Sequence, residues 1–586
     1  MRSPLLWLAL ALHVVLAGTY AWATPDFEAP DENSHYEYAW HLANARELPL
    51  TPPLAEARGL PQTEGCVLAH HPPLYYALVA VAMRMTGRDD TVFGPRRNPA
   101  FGATDQPSRF LHFQHERRPD RLLFGLRLLS VWFGAITIAL THRLARVACP
   151  DVPRVADLAA LLIATLPMWS YLHGVLNSDS LAICLSTAVL LQFAQLLRDE
   201  RPGAPRAAAT GLLLGLAWIT KTTTMFLGGI AGLIAVVLCW RARRRADLPR
   251  ALGLAALTAA TALAVSGAVF WRNAALYGDP LAMHAHDQLF SPPPMWSELR
   301  WNYLFGLDVT LPDGTRVPVP DAFVPTVFTS LFGRFGWFAV PPHPALVVCG
   351  AVTTALALLG LLRAAFDADR RTLPRPLWLL VTAGALVLLG TAWFNLGAPQ
   401  PQGRLLLPAV APAAILLAAG LVRASERLPG RRWLLLFLPA TAFAVLFATF
   451  RPALDPALAP APVDQRTLVG GIVAEVAQPA IAWRTETSAT PLGDAPTLRW
   501  TDPDAPDGTR YTLYAFDERG RVWLATHEWT AGQLVIDGGE WTFAAAAWQF
   551  LPRGVPVQLR LRRVPADAEV DPATLPASGT LTITRG

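Results

Sequence analysis

Four carboxylate side chains follow closely on the first apolar segment of the chain. Asp26, Glu28, Asp31 and Glu32 come just after residues 5–23, where a helix that crosses a membrane would reach the bilayer surface. A carboxylate at this place could act as a general base, or as a metal ligand, for a substrate held at the membrane. Asp31 could instead cap a helix in a solvated acidic turn. Asp31 and Glu32 are therefore candidate catalytic residues with a structural alternative.

Three further charged residues lie at the ends of other apolar segments. Lys221 is the only lysine among the 49 lysine and arginine residues. Its ammonium group suits a phosphate, although a lysine that extends to the membrane interface is the alternative. Arg404 is a second candidate for binding a phosphate. Asp179 either caps a helix or serves as a second active-site carboxylate, which would orient an acceptor or help to hold a divalent ion.

Histidines and aromatic residues leave further alternatives. His112 and His115 are three residues apart and could share one helical face, which would allow a zinc site. A third good ligand at a recognised spacing is absent from the sequence, so scattered polar surface is the default interpretation and a divalent metal stays an alternative. Trp296, Trp301 and Tyr303 could stack on a sugar ring or a prenyl chain, although aromatic residues are common at membrane interfaces.

Composition and apolar runs indicate which elements position these residues. Hydrophobic residues make up 53% of the 586-residue chain, charged residues only 16%, and the mean hydropathy is +0.32, which favours a polytopic membrane protein over a soluble enzyme. We predict about 11 spanning helices from the apolar runs. They are residues 5–23, 122–145, 155–174, 180–198, 207–220, 224–240, 251–270, 344–362, 376–394, 405–422 and 432–449. The first is either an uncleaved helix, which we prefer, or a signal peptide, and residue 24 emerges outside in both cases.

The arginines predict the orientation of these helices. Five loops rich in arginine would face the cytoplasm if residues 72–85 do not span, which gives an N-in, C-out topology. Because that stretch would extend only about 21 Å as a helix, we predict that it lies at the outer interface. Two large loops, residues 24–121 and 271–343, are then external. The candidate chemistry faces outward.

The chain changes character after the last apolar segment. A Pro/Ala-rich linker, residues 451–464, precedes residues 465–586, where short segments alternate apolar and polar residues between glycine-containing turns. This pattern predicts an extracytoplasmic, periplasmic all-β domain resembling a sandwich. Acceptor binding or carbohydrate binding is a hypothesis for it that rests on its position alone.

Several classes of function lose support. The basic residues are grouped in loops between apolar segments, which argues against nucleic acid as a partner. A Walker loop, a dinucleotide-binding fingerprint and a G-x-S-x-G elbow are all missing from the sequence, so ATP-driven transport and serine hydrolysis are disfavoured. Five cysteines, most of them in or beside apolar segments, imply no disulfide framework.

A series of short motifs in residues 1–450 resembles the GT-C superfamily of integral membrane glycosyltransferases, which includes protein O-mannosyltransferases and aminoarabinose transferases. The motifs are, in chain order, Pro30-Asp31-Glu32 with His35-Tyr36, His71-Pro72-Pro73-Leu74-Tyr75-Tyr76, Arg127-Leu128-Leu129-Ser130, Asn177-Ser178-Asp179, the stretch 215–222 around Lys221, and 402–408 around Arg404. The chain departs from the family pattern at Leu405-Leu406, where relatives often have Tyr-Leu, and in a long insertion from about 88 to 121.

The resemblance implies a transferase with a polyprenyl-phosphate sugar donor. It implies Asp31 as the base, Glu32 as its partner or an acceptor contact, Asp179 as a second active-site carboxylate, and Lys221 and Arg404 on the donor phosphate. His35, His71 and Tyr75 are expected to contact the acceptor or the sugar. A phosphate leaving group needs cations, and an acceptor hydroxyl or amine needs a carboxylate.

We therefore expect a lipid-dependent glycosyltransferase at the outer face of a bacterial inner membrane, in contact with membrane lipids, with a protein, lipid or glycan acceptor. The first alternative is a transporter or flippase, which would tend to carry ionisable residues near the middle of the membrane and repeat symmetry. The second is a non-catalytic scaffold that presents the β domain.

Overall fold

The computed structural model describes two compact units of the chain. The described residues of the first unit are 3–59, 66–86, 121–243, 247–290, 303–306, 309–310, 316–317, 322–336, 341–366, 376–397 and 400–426. Those of the second are 481–485, 497–505, 511–516, 522–525, 540–542, 556–563 and 581–584.

The first unit is a helical bundle, and its described helices run in the following order. They are α1 Pro4–Ala23, α2 Glu32–Ala45, α3 Pro52–Ala57, α4 Leu74–Met85, α5 Arg121–Ala148, α6 Arg154–Ala164, α7 Pro167–Leu172, α8 Asp179–Arg198, α9 Ala204–Trp218, α10 Phe226–Arg243, α11 Leu248–Tyr277, α12 Met283–Phe290, α13 Phe323–Ser330, α14 Pro344–Phe366, α15 Leu377–Gly397 and α16 Val410–Ser425. The 3₁₀ turns Thr222–Met225 and Gly403–Ala409 lead into α10 and α16.

Eight helices of the described residues are long and apolar enough to cross a membrane. They are α1, α5, α8, α10 with its 3₁₀ turn, α11, α14, α15 and α16 with its 3₁₀ turn. The chain is thus a multi-pass membrane protein, and the prediction of a polytopic helical fold is confirmed. The helix predicted at 432–449 and the linker 451–464 lie outside the described residues.

Two of the predicted spans differ from the observed helices. Residues 155–174 form two short helices, α6 and α7, because Pro167 has no backbone N–H to continue the first and instead begins the second after an extended Leu166. Residues 207–220 form α9, which ends at Trp218 after 15 residues. The predicted interfacial segment is the 12-residue helix α4, which is too short to span.

Small residues let several helices approach closely. A Cβ atom at Gly360 of α14 would collide with the backbone of Gly420 in α16, and one at Gly420 would collide with Ala357. Gly211 of α9 meets the backbone of Thr258 in α11 in the same way. Backbone-to-backbone contact at small residues is the usual packing of membrane helices, where lipid removes the ordinary hydrophobic driving force.

The buried core of the first unit surrounds the short helices α6 and α7. Trp169 of α7 is fully buried, and its indole N–H donates to His13 Nδ1 of α1 at 3.1 Å. Residues of α5, α8 and α16 complete the same apolar cluster. The break at Pro167 therefore lies against the centre of the bundle, and the chain after α7 leads directly to Asp179.

Short antiparallel strands occur in both units. In the first unit, β1 Val309–Thr310 pairs with β2 Arg316–Val317. In the second unit, β3 Ala482–Trp483, β4 Thr497–Thr501 and β7 Glu540–Thr542 form one sheet in the order β3-β4-β7. The strands β6 Val522–Ala525, β5 Tyr511–Phe516, β8 Pro556–Arg563 and β9 Leu581–Thr584 form another in the order β6-β5-β8-β9. In β4, Leu498 and Trp500 alternate with more exposed residues, as the period-two pattern predicted; the all-β sandwich over 465–586 stays a prediction.

Candidate active site

Two carboxylate–cation pairs join four of the residues selected from the sequence. Arg404 Nη2 donates to Asp31 Oδ2 at 2.7 Å, and Lys221 Nζ donates to Asp179 Oδ1 at 2.7 Å. The Lys221 and Asp179 side chains are 13% and 5% exposed, whereas that of Asp31 is 41% exposed. All four residues lie at or beside helix ends, so breaks in the helices position these charges.

Neither carboxylate caps its helix with its side chain. Asp31 precedes α2 with φ 68°, a left-handed conformation that is uncommon for residues other than glycine, and its side chain makes no capping bond. At α8 the side chain of Asn177 accepts from the backbone N–H of Ser180 at 3.2 Å. Asp179 therefore keeps its carboxylate for Lys221.

The two pairs share one electrostatic environment. Burial would raise the pKa of Asp31, but the positive charge of Arg404, with smaller effects of His35 and Lys221, lowers it below its usual value. Lys221 thus acts on a carboxylate that belongs to the other pair. Asp31 is ionised at neutral pH, as a general base must be.

Glu32 lies in a separate, fully buried ion pair. Arg127 of α5 donates from Nε to Glu32 Oε1 at 2.8 Å and from Nη2 to Oε2 at 2.5 Å, and both side chains are 0% exposed. The backbone N–H groups of Leu176 and Phe27 donate to the same two oxygens at 2.8 and 3.1 Å. Glu32 therefore has both oxygens occupied inside the fold.

Arg127 extends this pair to the end of α1. Its remaining N–H groups donate to three backbone carbonyl groups, those of Ala21, Thr24 and Pro25, at 3.0, 2.7 and 3.1 Å. The pair thus ties α1, α5 and the turns that precede Asp31 and Asp179 to one another.

The predicted contact residues His35 and His71 meet through a tyrosine. The hydroxyl of Tyr76 in α4 lies 2.9 Å from His35 Nδ1 and 3.1 Å from His71 Nδ1. Tyr75, the third predicted contact, is fully buried, and its ring centroid lies 6.4 Å from that of His35. Tyr75 therefore supports the histidines from within the fold and does not line an accessible surface.

A pocket opens beside the Asp31–Arg404 pair. Its lining residues are Pro30, Met168, Tyr171, Leu172, Val175, Asn177, Ser330, Arg334, Gln402 and Arg404. The 3₁₀ turn that carries Arg404 is fixed by Gly403, whose N–H donates to Ser330 Oγ at 2.8 Å and where a Cβ atom would lie 2.6 Å from Val327 O. The Nε of Arg404 is buried without a hydrogen-bond partner in the described part of the chain, so the guanidinium retains a free donor.

Other residues selected from the sequence do not join this site. His112, His115, Trp296 and Trp301 lie outside the described residues. The hydroxyl of Tyr303 donates to Asn395 Oδ1 at 3.0 Å. Within the described ranges, no group of three or more His, Cys, Asp and Glu side chains is arranged to hold a metal ion.

Sequence reasoning assigned no role to Arg127 or Tyr76. An arginine near the start of an apolar segment that spans a membrane is costly unless it is paired, and this signal could have identified Arg127. Tyr76 lies in a quoted motif, but the sequence does not reveal that its hydroxyl bridges two histidines.

Comparisons with known proteins give one family and several similar structures. No curated protein matches the chain. ArnT from Cupriavidus metallidurans bound to undecaprenyl phosphate is similar over 76% of this chain and 63% of that chain, with 15% identity and a TM-score of 0.44. AglB from Archaeoglobus fulgidus, in complex with an inhibitory peptide and a dolichol-phosphate, is similar over 77% of this chain and 54% of that chain, with 14% identity and a TM-score of 0.40.

A third similar structure is the S. cerevisiae protein O-mannosyltransferase Pmt1-Pmt2 complex bound to the sugar donor. The similarity covers 49% of this chain and 34% of the matched yeast chain, with 19% identity and a TM-score of 0.32. The chain thus spans less than two thirds of the length of each of these structures. All three are GT-C glycosyltransferases, the superfamily that the sequence motifs resemble.

A family model matches residues 115–413, about half of the chain. The matched region includes Arg127, Asp179, Lys221 and Arg404. The chain belongs to this family, which is described as Predicted membrane protein (DUF2142).

Proposed function

We propose that this protein is a glycosyltransferase that moves a sugar from a polyprenyl-phosphate donor to an acceptor. The observation that supports the proposal is the meeting of two carboxylates and two cations from four distant parts of the chain. Asp31 and Arg404 are separated by 373 positions in sequence and are joined at 2.7 Å beside a pocket. Such a site combines a base with cations for a phosphate leaving group.

The cations bind the donor phosphate in this proposal. Lys221 and Arg404 are both paired with carboxylates, and Arg404 keeps a buried Nε–H without a partner among the described residues. A phosphodiester that enters the site offers anionic oxygens to both cations. Arg404 then moves part of its hydrogen bonding from Asp31 to the phosphate, and Lys221 does the same from Asp179.

This exchange of partners raises the basicity of Asp31 when the donor is bound. Arg404 is the largest of the charges that hold the pKa of Asp31 low. Once the phosphate neutralises Arg404, the pKa of Asp31 rises and its carboxylate becomes a better proton acceptor. The base is therefore most effective with the donor in place, which disfavours activation of water in the empty site.

The transfer step is a single displacement at the anomeric carbon, with inversion. Asp31 takes the proton from the acceptor hydroxyl or amine while the acceptor atom forms its bond to the anomeric carbon. The bond between that carbon and the phosphate oxygen breaks, and its electron pair leaves with the polyprenyl phosphate. Lys221 and Arg404 stabilise the additional negative charge of the released phosphate. Asp179 orients Lys221, and Glu32 with Arg127 positions Asp31 from inside the fold.

We place the reaction at the outer face of a bacterial inner membrane, with a protein, lipid or glycan as acceptor. The arginine-rich loops on the other side of the membrane support this orientation. The β domain is proposed to bind the acceptor. Deletion of residues 465–586 should then reduce acceptor transfer while leaving donor hydrolysis; unchanged acceptor transfer would exclude that role.

The proposed function is tested by release of polyprenyl phosphate from a panel of polyprenyl-phosphate sugars by the purified full-length protein. Asp31→Asn and Lys221→Ala should abolish or strongly reduce release, while Asp247→Asn, which alters a carboxylate 43% exposed before α11, should leave it unchanged. A parallel series with EDTA tests a divalent metal. Absence of release from every donor, with membrane extract supplied as acceptor and a folded protein, would reject the proposed function.

A further inference from the structure

The hydrogen bonds of Tyr76 constrain the protons of two histidines. The Tyr76 hydroxyl lies within hydrogen-bond distance of Nδ1 of both His35 and His71. A tyrosine hydroxyl carries one proton, so it can donate to at most one of the two rings, and at least one ring donates its own N–H to the hydroxyl oxygen. When Tyr76 donates to one ring and accepts from the other, the first ring has a bare Nδ1 and the second has an Nδ1–H group.

The protonation of Nδ1 in each ring determines whether Nε2 of that ring is a hydrogen-bond donor or an acceptor. In neutral imidazole one nitrogen carries the proton and the other is an acceptor. The ring that accepts from Tyr76 then carries its proton on Nε2, and the ring that donates to Tyr76 has a bare Nε2. The two rings thus offer one donor and one acceptor, and a shift of the Tyr76 proton interchanges them.

The Nε2 atoms are free to meet a ligand. Neither Nε2 atom has a hydrogen-bond partner among the described residues. Neither is one of the polar atoms that are completely buried without a partner, so both remain accessible. The ring centroids lie 6.3 Å apart, so one molecule can contact both rings. The charges of Asp31, Asp179, Lys221 and Arg404 all act on His35, which locates the pair at the edge of the proposed active site.

Both rings are neutral at physiological pH. Burial lowers the pKa of His35 to about 3, with Lys221 as the next cause. Burial, with the neighbouring His70, also holds the pKa of His71 well below its usual value. A neutral pair with one donor and one acceptor matches a hydroxyl group, which can both accept and donate. An ammonium group has only donors, and a phosphate or carboxylate has only acceptors.

We infer that His35 and His71, coupled by the Tyr76 hydroxyl, form a subsite that binds a hydroxyl group of the sugar on the donor. The inference rests on the proposed function and deepens it, because it selects a hydroxylated sugar and assigns Tyr76 as a positioning residue. Tyr76 is fully buried and does not touch the substrate. It determines which histidine nitrogen donates and which accepts.

The first test compares Tyr76→Phe with Tyr38→Phe. Tyr38 stacks on Tyr76 with ring centroids 3.8 Å apart, and its hydroxyl donates to the backbone carbonyl of His71 at 3.3 Å. Tyr38→Phe therefore removes a hydroxyl from the same pair of stacked rings but leaves the hydrogen bonds of both imidazoles in place. Full-length protein labelled with ¹⁵N in histidine is measured by NMR, and the two signals are assigned with His35→Gln and His71→Gln. Wild type and Tyr38→Phe should hold the two rings as opposite neutral tautomers, and Tyr76→Phe should lose this relation. Identical tautomers in the wild type, or no change in Tyr76→Phe, would overturn the inference.

The second test uses donors that lack single hydroxyl groups. Tyr76→Phe should raise KM for the complete donor about five- to tenfold, the usual effect of one or two weakened hydrogen bonds, with a smaller change in kcat. The difference between Tyr76→Phe and wild type should vanish for the one deoxy donor that lacks the bound hydroxyl. A defect that is equal for all deoxy donors would reject the subsite. If the wild type releases polyprenyl phosphate from no donor, the proposed function fails, and the NMR result still decides whether Tyr76 couples the rings.

Discussion

Asp31 and Glu32 are neighbours in sequence, and each pairs with an arginine, but their surroundings differ. Glu32 and Arg127 are 0% exposed, and the oxygens of Glu32 accept four hydrogen bonds. The side chain of Asp31 is 41% exposed and lies beside a pocket, and among the described residues it accepts a hydrogen bond only from Arg404. A fully satisfied carboxylate holds helices together, whereas a partly satisfied one next to a cation can change partners during a reaction. The two neighbouring carboxylates thus differ: Glu32 is fully hydrogen-bonded inside the fold, and Asp31 keeps the accessibility that the proposed chemistry needs.

The largest effect on folding is expected for Glu32→Gln. The change keeps the shape of the side chain but leaves the buried Arg127 without a counter-charge, which costs about 3–5 kcal/mol. Thermal unfolding of the detergent-purified protein should show a clear fall in Tm. The matched change one residue earlier, Asp31→Asn, should cost about 1 kcal/mol or less, because the Asp31–Arg404 pair is partly exposed. Equal losses of Tm in the two variants would remove the distinction between the pairs.

The largest effect on catalysis is expected for Asp31→Asn. An amide cannot take a proton from the acceptor, and a general base contributes about 10²- to 10⁴-fold to a rate. The transfer rate should fall by that factor while circular dichroism and the elution volume stay those of the wild type. Glu32→Asp keeps the negative charge. Relative to its loss of Tm, it should lose less activity than Asp31→Asn does. Near-normal transfer by Asp31→Asn would assign the base to another residue, with Asp179 as the next candidate.

A smaller loss of activity, through weaker binding of the donor phosphate, is expected for variants of Lys221. Lys221→Ala removes one charged donor to the phosphate, for which a loss of about 10- to 100-fold in kcat/KM is expected. Lys221→Arg should recover part of the activity because the charge is retained, although a guanidinium does not reproduce the compact ammonium. If Lys221→Ala raised KM no more than Asp247→Asn does, Lys221 would be an interfacial lysine without a role in donor binding.

The ends of apolar segments identified the candidate charges from sequence. Asp31, Asp179, Lys221 and Arg404 were all selected because polar residues at such places are costly or useful, and the structure joins them in pairs. The pairing itself could not be predicted, since contacts across 42 and 373 positions depend on how the helices pack. The motif around Asp31 and Glu32 also led us to expect both residues in the active site, because only the fold reveals that Arg127 reaches Glu32.

Helix breaks were the least predictable part of the fold. A hydropathy window reads residues 155–174 as one span, although Pro167 divides it into α6 and α7. Proline is a strong local signal that averaging over a window removes. The break brings Trp169 into the core and leads the chain into the turn whose Leu176 N–H binds Glu32. The break at Pro167, which made the span prediction wrong, thus also positions the turn that contacts Glu32.

The smallest expected effect is a shift in pH dependence that distinguishes Arg404 from Lys221. Arg404 lowers the pKa of Asp31, so the ionised base persists to lower pH in the wild type. Activity is present above that pKa and falls as pH decreases through it. Arg404→Gln removes the charge, so the pKa of Asp31 rises and the acid limb of kcat/KM moves to higher pH, on top of a general loss of phosphate binding. Lys221→Ala should move the limb less, because Lys221 contributes less to the pKa of Asp31. Profiles of kcat/KM for the wild type and both variants at constant ionic strength measure these shifts. An acid limb that Arg404→Gln leaves in place would mean that Asp31 is not the titrating base, and the contrast between the two arginine-bound carboxylates would then be one of packing alone.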